Sequence, residues 1–163
     1  MEQLLSDRSC GSCRGCCKPF VVPEVGKYDA MWCPKSTPCN GCSIYATRPE
    51  ACKKFACIWL NGLGEESDRP DILGVVMDVE DFHLGVREVA ILHLWEIEAG
   101  AMNKPRIQQI AEANKNEGNN IVFYHYMLGE NDYLNCVLVS MNHFTEEEIL
   151  VFEETYHQNN DAK

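Results

Sequence analysis

The hydrophobic and polar positions divide the chain into an unpatterned first third and a periodic remainder. Residues 1–60 show no sustained helical or strand period. Gly11, Gly15, Gly26 and Gly41, with Pro19, Pro23, Pro34, Pro38 and Pro49, break them into turns. One short helix is expected from Arg48 through Leu60, with Pro49 in its first turn and Cys52, Phe55 and Trp59 at helical spacing. Residues 61–71 are polar and read as a connector. Their glycines do not form a phosphate loop, because no strand precedes them and no Gly-Lys-Ser/Thr follows.

From Ile72 the pattern is that of an α+β domain. Ile72–Val79 and Val86–Ile97 are β-branched runs, expected as strands joined by a turn around Glu80-Asp81. Asn103 has the character of an N-cap, and Pro105 stands in a first turn. Ile107, Ile110, Ala111 and Asn114 then mark one helical face to about Glu117, before Gly118. Asn120–Leu128 and Tyr133–Met141 read as a hairpin around Gly129–Asp132. Thr145-Glu146-Glu147-Glu148 is a capping box for a last helix to about His157. The order β-β-α-β-β-α predicts an antiparallel sheet with helices on one face. The expected organisation is a cysteine module at 1–60, a connector at 61–71 and an acidic α+β domain at 72–163 packed with it.

Cysteine and charge change abruptly at the same boundary. Nine of the ten cysteines lie in residues 10–57. Residues 1–57 carry 8 Lys+Arg against 5 Asp+Glu, whereas residues 58–163 carry 6 against 20, within a total of −11. That balance argues against nucleic acid as a partner. No apolar run is long enough to span a bilayer, and Met1–Arg8 lacks a signal-peptide pattern, so a cytoplasmic, reduced setting is expected. There a dense cysteine block reads as a metal site rather than a disulfide framework, and its odd number of cysteines agrees. The basic excess among the cysteines would offset thiolate charge.

The strongest motif is Cys10-x2-Cys13-x2-Cys16-Cys17. Two intervening residues let a tight turn deliver both sulfurs to one ion. Adjacent Cys16 and Cys17 tend to diverge, which suggests two metals sharing a wall, or a cluster. Cys33, Cys39, Cys42, Cys52 and Cys57 add five sulfurs. Eight thiolates suit two tetrahedral zinc ions, and nine suit three zinc ions with shared sulfurs. Four suit one 4Fe–4S cluster, for which the Cys-x2-Cys-x2-Cys triplet and a remote Cys33-Pro34 have ferredoxin-type spacing.

The stretch Cys10-Gly-Ser-Cys13-Arg-Gly-Cys16-Cys17, then Cys33, then Gly41-Cys42-Ser-Ile-Tyr-Ala-Thr-Arg-Pro-Glu-Ala-Cys52-Lys-Lys-Phe-Ala-Cys57-Ile-Trp-Leu60, closely resembles the CxxCxxCC family of zinc- or iron-chelating proteins. These are also called YkgJ-like cysteine-cluster proteins. The match covers residues 10–60, and nothing is carried over to residues 72–163. The resemblance implies a metal site whose eight ligands are Cys10, Cys13, Cys16, Cys17, Cys33, Cys42, Cys52 and Cys57, with Cys39 and Cys136 as extras. It leaves the metal open. Some relatives have been labelled iron–sulfur oxidoreductases, and a flagellin lysine N-methylase carries a similar module.

The surrounding residues have their own physical reading. Pro49 can start the helix that aims Cys52 and Cys57, and Arg48 can donate to thiolates or backbone carbonyls. Tyr45, Phe55 and Trp59 read as cover that excludes water. The five histidines share no short spacing with a cysteine and read as solvated or sheet-surface, while Cys136 reads as a buried apolar residue. No nucleophile elbow, zinc-protease pair or dinucleotide fingerprint is present, so no catalytic residue is assigned. Zn2+ is preferred over an iron–sulfur cluster, because the thiolates are in surplus and no base neighbours them. The expected function is a metal-binding protein with an accessory role towards a protein partner. An iron–sulfur enzyme with redox or methyl-transfer chemistry, and a metal buffer or delivery protein, are the alternatives.

Overall fold

The computed structural model describes residues 7–28, 30–118, 120–130, 132–139 and 143–160, the last four of each of the final two stretches as backbone only. The fold is α+β. The first third holds a two-stranded ribbon, β1 (Ser36–Thr37) with β2 (Gly41–Cys42), and a short helix α1 (Glu50–Lys54). Helix α2 (Pro70–Leu73) leads into β3 (Val75–Leu84) and β4 (Arg87–Glu96). Then come α3 (Pro105–Lys115), β5 (Asn120–Met127), β6 (Tyr133–Val139) and α4 (Glu146–Asn160). The four long strands lie in the order β3-β4-β5-β6. Among the described residues no helix is long and apolar enough to cross a membrane.

The sheet departs from the expected antiparallel arrangement at its centre, where β4 and β5 run parallel. A parallel pair needs a crossover, and α3 supplies it. A second departure follows. The helices lie on both faces, not one. Val75, Met77, Leu92, Leu94, Val122 and Tyr124 bury one face against Ile107 and Ala111 of α3. The alternate residues Phe82, Ile91, Ile121 and Phe123 bury the other against Phe144 and Phe152, before and within α4. The nearly unbroken apolar run Ala90–Trp95 is the sequence trace of a strand buried on both sides.

The cysteine segment occupies the rest of that second face. Val76, Trp95 and Ile97 meet Cys57, Trp59, Phe20 and Phe55 in one cluster, with the Phe20 and Phe55 ring centroids 4.4 Å apart. Buried Glu96 pins the crossover by accepting from the backbone N–H of Met102 (3.2 Å) and of Met127 (2.9 Å).

Three element boundaries shift for identifiable reasons. The β3–β4 turn is Gly85-Val86, not Glu80-Asp81, because Leu84 pairs with Arg87 and Gly85 takes the left-handed φ of 63° that a two-residue hairpin needs. Helix α1 stops at Lys54 instead of running to Leu60, because Phe55 turns extended and the Ile58 N–H bonds the Met77 carbonyl (2.9 Å). That bond covers part of the open edge of β3. Residue Lys104, not Asn103, caps α3. The capping box at Thr145 is present in both directions, with the Thr145 N–H on the Glu148 carboxylate (2.8 Å) and the Glu148 N–H on the Thr145 hydroxyl (3.2 Å). Expected strand residues 140–141 lie outside the described residues.

Residues 61–71 are fastened down through Asp68, which is 1% exposed. Its carboxylate accepts from Arg106 Nε (2.9 Å) and Nη2 (2.7 Å) and from the Glu65 N–H (2.9 Å). The Arg106 guanidinium holds the Asp68 carboxyl below the usual carboxylate range. Its contribution is therefore complete above the unfolded value near pH ~4 and is lost as pH falls through the lower folded value. Asp68→Asn is expected to cost about 2 kcal/mol at neutral pH, less than a fully buried pair because the Arg106 side chain is 33% exposed. Urea unfolding of both proteins should show this gap at pH 7, and it should narrow below pH ~4.

Candidate metal centre

The site is assembled by short backbone turns rather than by long elements. The Cys13 N–H bonds the Cys10 carbonyl (2.8 Å), and Gly15–Cys17 form one turn of 3-10 helix. Next the Cys33 N–H bonds the Cys17 carbonyl (2.9 Å), and both the N–H (3.0 Å) and the hydroxyl (2.9 Å) of Ser36 bond the Cys33 carbonyl. Ser36 pairs with Cys42 across the β1–β2 ribbon. Cys52 stands in α1, and Cys57 follows on the extended segment beside β3.

All eight cysteines named by the family resemblance line one cavity of about 300 Å³, and Cys39 does not. Cys39 is exposed, at a left-handed φ of 67°. No His, Asp or Glu lines the cavity. The thiols are not gathered into a finished coordination sphere: among the described residues no three His, Cys, Asp or Glu side chains stand together as an ion site. The nine cysteines whose side chains are described are free thiols. Cys136 lies on β6 opposite Tyr124, far along the chain from the block, and its side chain is outside the described residues.

The donor set suits a thiophilic group, since eight cysteines and no carboxylate or imidazole line the space and soft ligands select zinc, copper(I) or iron–sulfur clusters. A second observation agrees. Trp59 lines the cavity at 5% exposure, and its indole Nε1–H finds no acceptor among the described residues. A thiolate or sulfide would supply one.

Electrostatics sort the thiols. Burial pushes Cys13 up to about 11 and raises Cys33, Cys52 and Cys57. A hydrogen bond from Cys16 pulls Cys17 down to about 7, with further help from the Ser36 hydroxyl and the Arg14 and Lys27 cations. The same bond, and then burial, hold Cys16 well above the ordinary thiol value. The buried thiols therefore keep their protons at neutral pH until a cation displaces them.

The supporting residues follow the sequence reading in part. Arg48 donates to backbone carbonyls, those of Tyr45 (2.7 Å) and Cys52 (3.3 Å), and lies 3.8 Å over the Tyr45 ring. Tyr45, Phe55 and Trp59 all line the cavity. Two buried lysines went unforeseen: Lys18 Nζ donates to the Glu130 carbonyl and Lys27 Nζ to that of Tyr28, both at 2.5 Å.

Two histidines are corrected by the structure. His93 and His125 are buried at 2% and 3% exposure, whereas His83 is exposed beside its turn as expected. The His125 Nδ1–H donates to Asn135 Oδ1 (2.7 Å), which leaves His125 Nε2 to accept from the His93 Nδ1–H (2.9 Å). His93 Nε2 then faces the Glu80 carboxylate at 3.3 Å. Trp95 stacks on His125 at 3.4 Å and donates to Asp78 (2.8 Å). Strand alternation at 78, 80, 93, 95 and 125 was the available signal for this group. Glu80 reads as a turn residue in the sequence because its partner His93 is distant along the chain.

No protein-family model matches the chain, no curated protein matches it, and no solved structure matches it. The likeness to the cysteine-cluster family thus rests on the cysteine spacing of residues 10–60.

Two outcomes are expected. Burial, and then His93, drive His125 down to about 3. The unfolded chain takes up that proton near pH ~6.5, so stability falls between about pH 6.5 and 3 by up to a few kcal/mol. In His125→Gln, thermal melts across that range should show a flatter profile. The second outcome concerns Gly15, where an added Cβ would stand 2.6 Å from Pro70 Cβ and 3.0 Å from Val76 Cγ2. Gly15→Ala should cost about 1–3 kcal/mol through overpacking, read as a lower melting temperature.

Proposed function

We propose that this is a cysteine-rich metal-binding protein of the cytoplasm, in which zinc or an iron–sulfur group staples the first 60 residues onto an acidic α+β domain with an accessory, protein-binding role. The observation that carries the reading is the single cavity lined by Cys10, Cys13, Cys16, Cys17, Cys33, Cys42, Cys52 and Cys57 and by no carboxylate or imidazole. Sulfur in surplus with no neighbouring acid or base suits a closed structural centre better than a catalytic one, which keeps a ligand position open. The −14 balance of residues 58–163 supports a protein partner rather than nucleic acid.

The chain's own residues would do three things there. The turns at Cys10–Cys13 and Gly15–Cys17 deliver sulfurs at short spacing. Arg14, Lys27 and Arg48 offset thiolate charge at Cys17 and Cys52. Phe20, Phe55 and Trp59 exclude water. A bound metal would supply the cross-links that a segment so poor in apolar burial lacks.

One observation favours the iron–sulfur alternative: Cys10, Cys13 and Cys16 form a spacing used by 4Fe–4S proteins, and the enzyme reading depends on it. Elemental analysis and an ultraviolet–visible spectrum of anaerobically purified protein test both. Brown protein absorbing near ~400 nm carries iron and sulfide, and colourless protein with zinc carries the preferred metal. Protein that neither contains nor takes up a thiophilic metal overturns the proposal. Chelation should unfold residues 1–60 while residues 72–163 keep their far-ultraviolet signal, because structural zinc contributes on the order of 10–16 kcal/mol.

A further inference from the structure

The eight thiols line one cavity, and backbone hydrogen bonds tie Cys13 to Cys10 and Cys33 to Cys17. Cys16 and Cys17 are consecutive on a 3-10 turn, where successive side chains leave the axis about 120° apart. One tetrahedral ion cannot readily take both. On one side lie Cys10 and Cys13, joined by the 2.8 Å Cys13 N–H to Cys10 carbonyl bond, with Cys16 at the next three-residue step. Arg8 ties the chain after Cys57 to the chain before Cys10. That guanidinium, two residues before Cys10, donates to the Trp59 carbonyl two residues after Cys57, at 3.0 Å.

The other side is built independently. The Cys33 N–H on the Cys17 carbonyl sets those two residues together, and Ser36 links Cys33 to Cys42 through its bonds to the Cys33 carbonyl and its pairing with Cys42. Helix α1 presents Cys52 to the same cavity. The two sides abut where the Gly41 backbone rests on Gly11 and Ser12.

We propose that the cavity holds two four-thiolate metal centres, one on Cys10, Cys13, Cys16 and Cys57 and the other on Cys17, Cys33, Cys42 and Cys52. The inference rests on the metal-binding reading and deepens it by assigning each sulfur. The partition also replaces Cys33 by Cys57 as the remote partner of the Cys-x2-Cys-x2-Cys triplet. Each centre is filled either by one zinc ion or by one cluster, the shared chemistry being four thiolates around a thiophilic group.

Cobalt(II), which colours intensely in a tetrathiolate site, is the probe. The full-length chain, stripped of metal and reduced, should bind two cobalt ions at saturation. Cys57→Ser and Cys52→Ser should each keep one. The double variant Cys13→Ser with Cys57→Ser should also keep one, since both losses fall in the same centre. Cys13→Ser with Cys52→Ser should lose both tetrathiolate signals, while Cys39→Ser keeps both. A wild-type ratio of one, or equal loss in the two double variants, overturns the partition while leaving metal binding intact. No tetrathiolate cobalt signal at all overturns the metal-binding reading itself. Elemental analysis of the protein as purified then separates zinc from iron with sulfide.

Discussion

The structure turns on the place where the cysteine segment, with no side chain of its own there, seats on side chains of α2 and β3. At Gly15 the backbone comes so close to the Pro70 and Val76 side chains that a single added carbon would collide. Everything on either side is fixed by that seat. Cys13 lies before it and Cys16 and Cys17 after it, so the sulfurs are positioned relative to a rigid four-stranded surface rather than to one another alone. An apolar-poor segment gains order by leaning on a neighbour that has already bought its own core.

The second face of the sheet is shared between two different kinds of packing. Phenylalanines from the strands and α4 fill one end, and Phe20, Phe55 and Trp59 fill the other. Between them runs the polar line from Glu80 through His93 and His125 to Asn135. Buried imidazoles are tolerated there because their ring nitrogens find polar partners, His125 on Asn135 and both rings on each other. The Trp95–His125 stack seals the boundary towards the cysteine segment, since Trp95 also meets the Phe20 ring at 5.4 Å.

What the sequence made legible was whatever depends on local chemistry. The Thr145–Glu148 box, the hairpin near Gly129 and the helix after Pro105 are specified by residues a few positions apart. The eight cysteines that line the cavity are those the family resemblance implies, whereas spacing alone left Cys39 open. What failed was whatever depends on distant partners. Glu80 looks like a turn residue until His93 stands opposite it. The helix from Arg48 should continue by periodicity, yet an unpaired carbonyl on the edge of β3 competes for Ile58 and wins. The parallel pairing of β4 with β5 was concealed for a related reason: a crossover helix and a simple connecting helix have the same amphipathic pattern.

Arg8 gives the cysteine segment a mechanical property. Its guanidinium bridges to the carbonyls of Trp59, Leu63 and Gly64 and to the Glu66 carboxylate, so the chain returns at residues 59–66 to the point from which it departed. Residues 9–58 are thereby a closed loop hung on the sheet, with both its ends gripped by one side chain. Tension applied at the amino terminus would be carried across this clasp directly into residues 59–66 and the sheet beyond. The loop and its sulfurs would be bypassed, much as a strain relief spares the joint behind it.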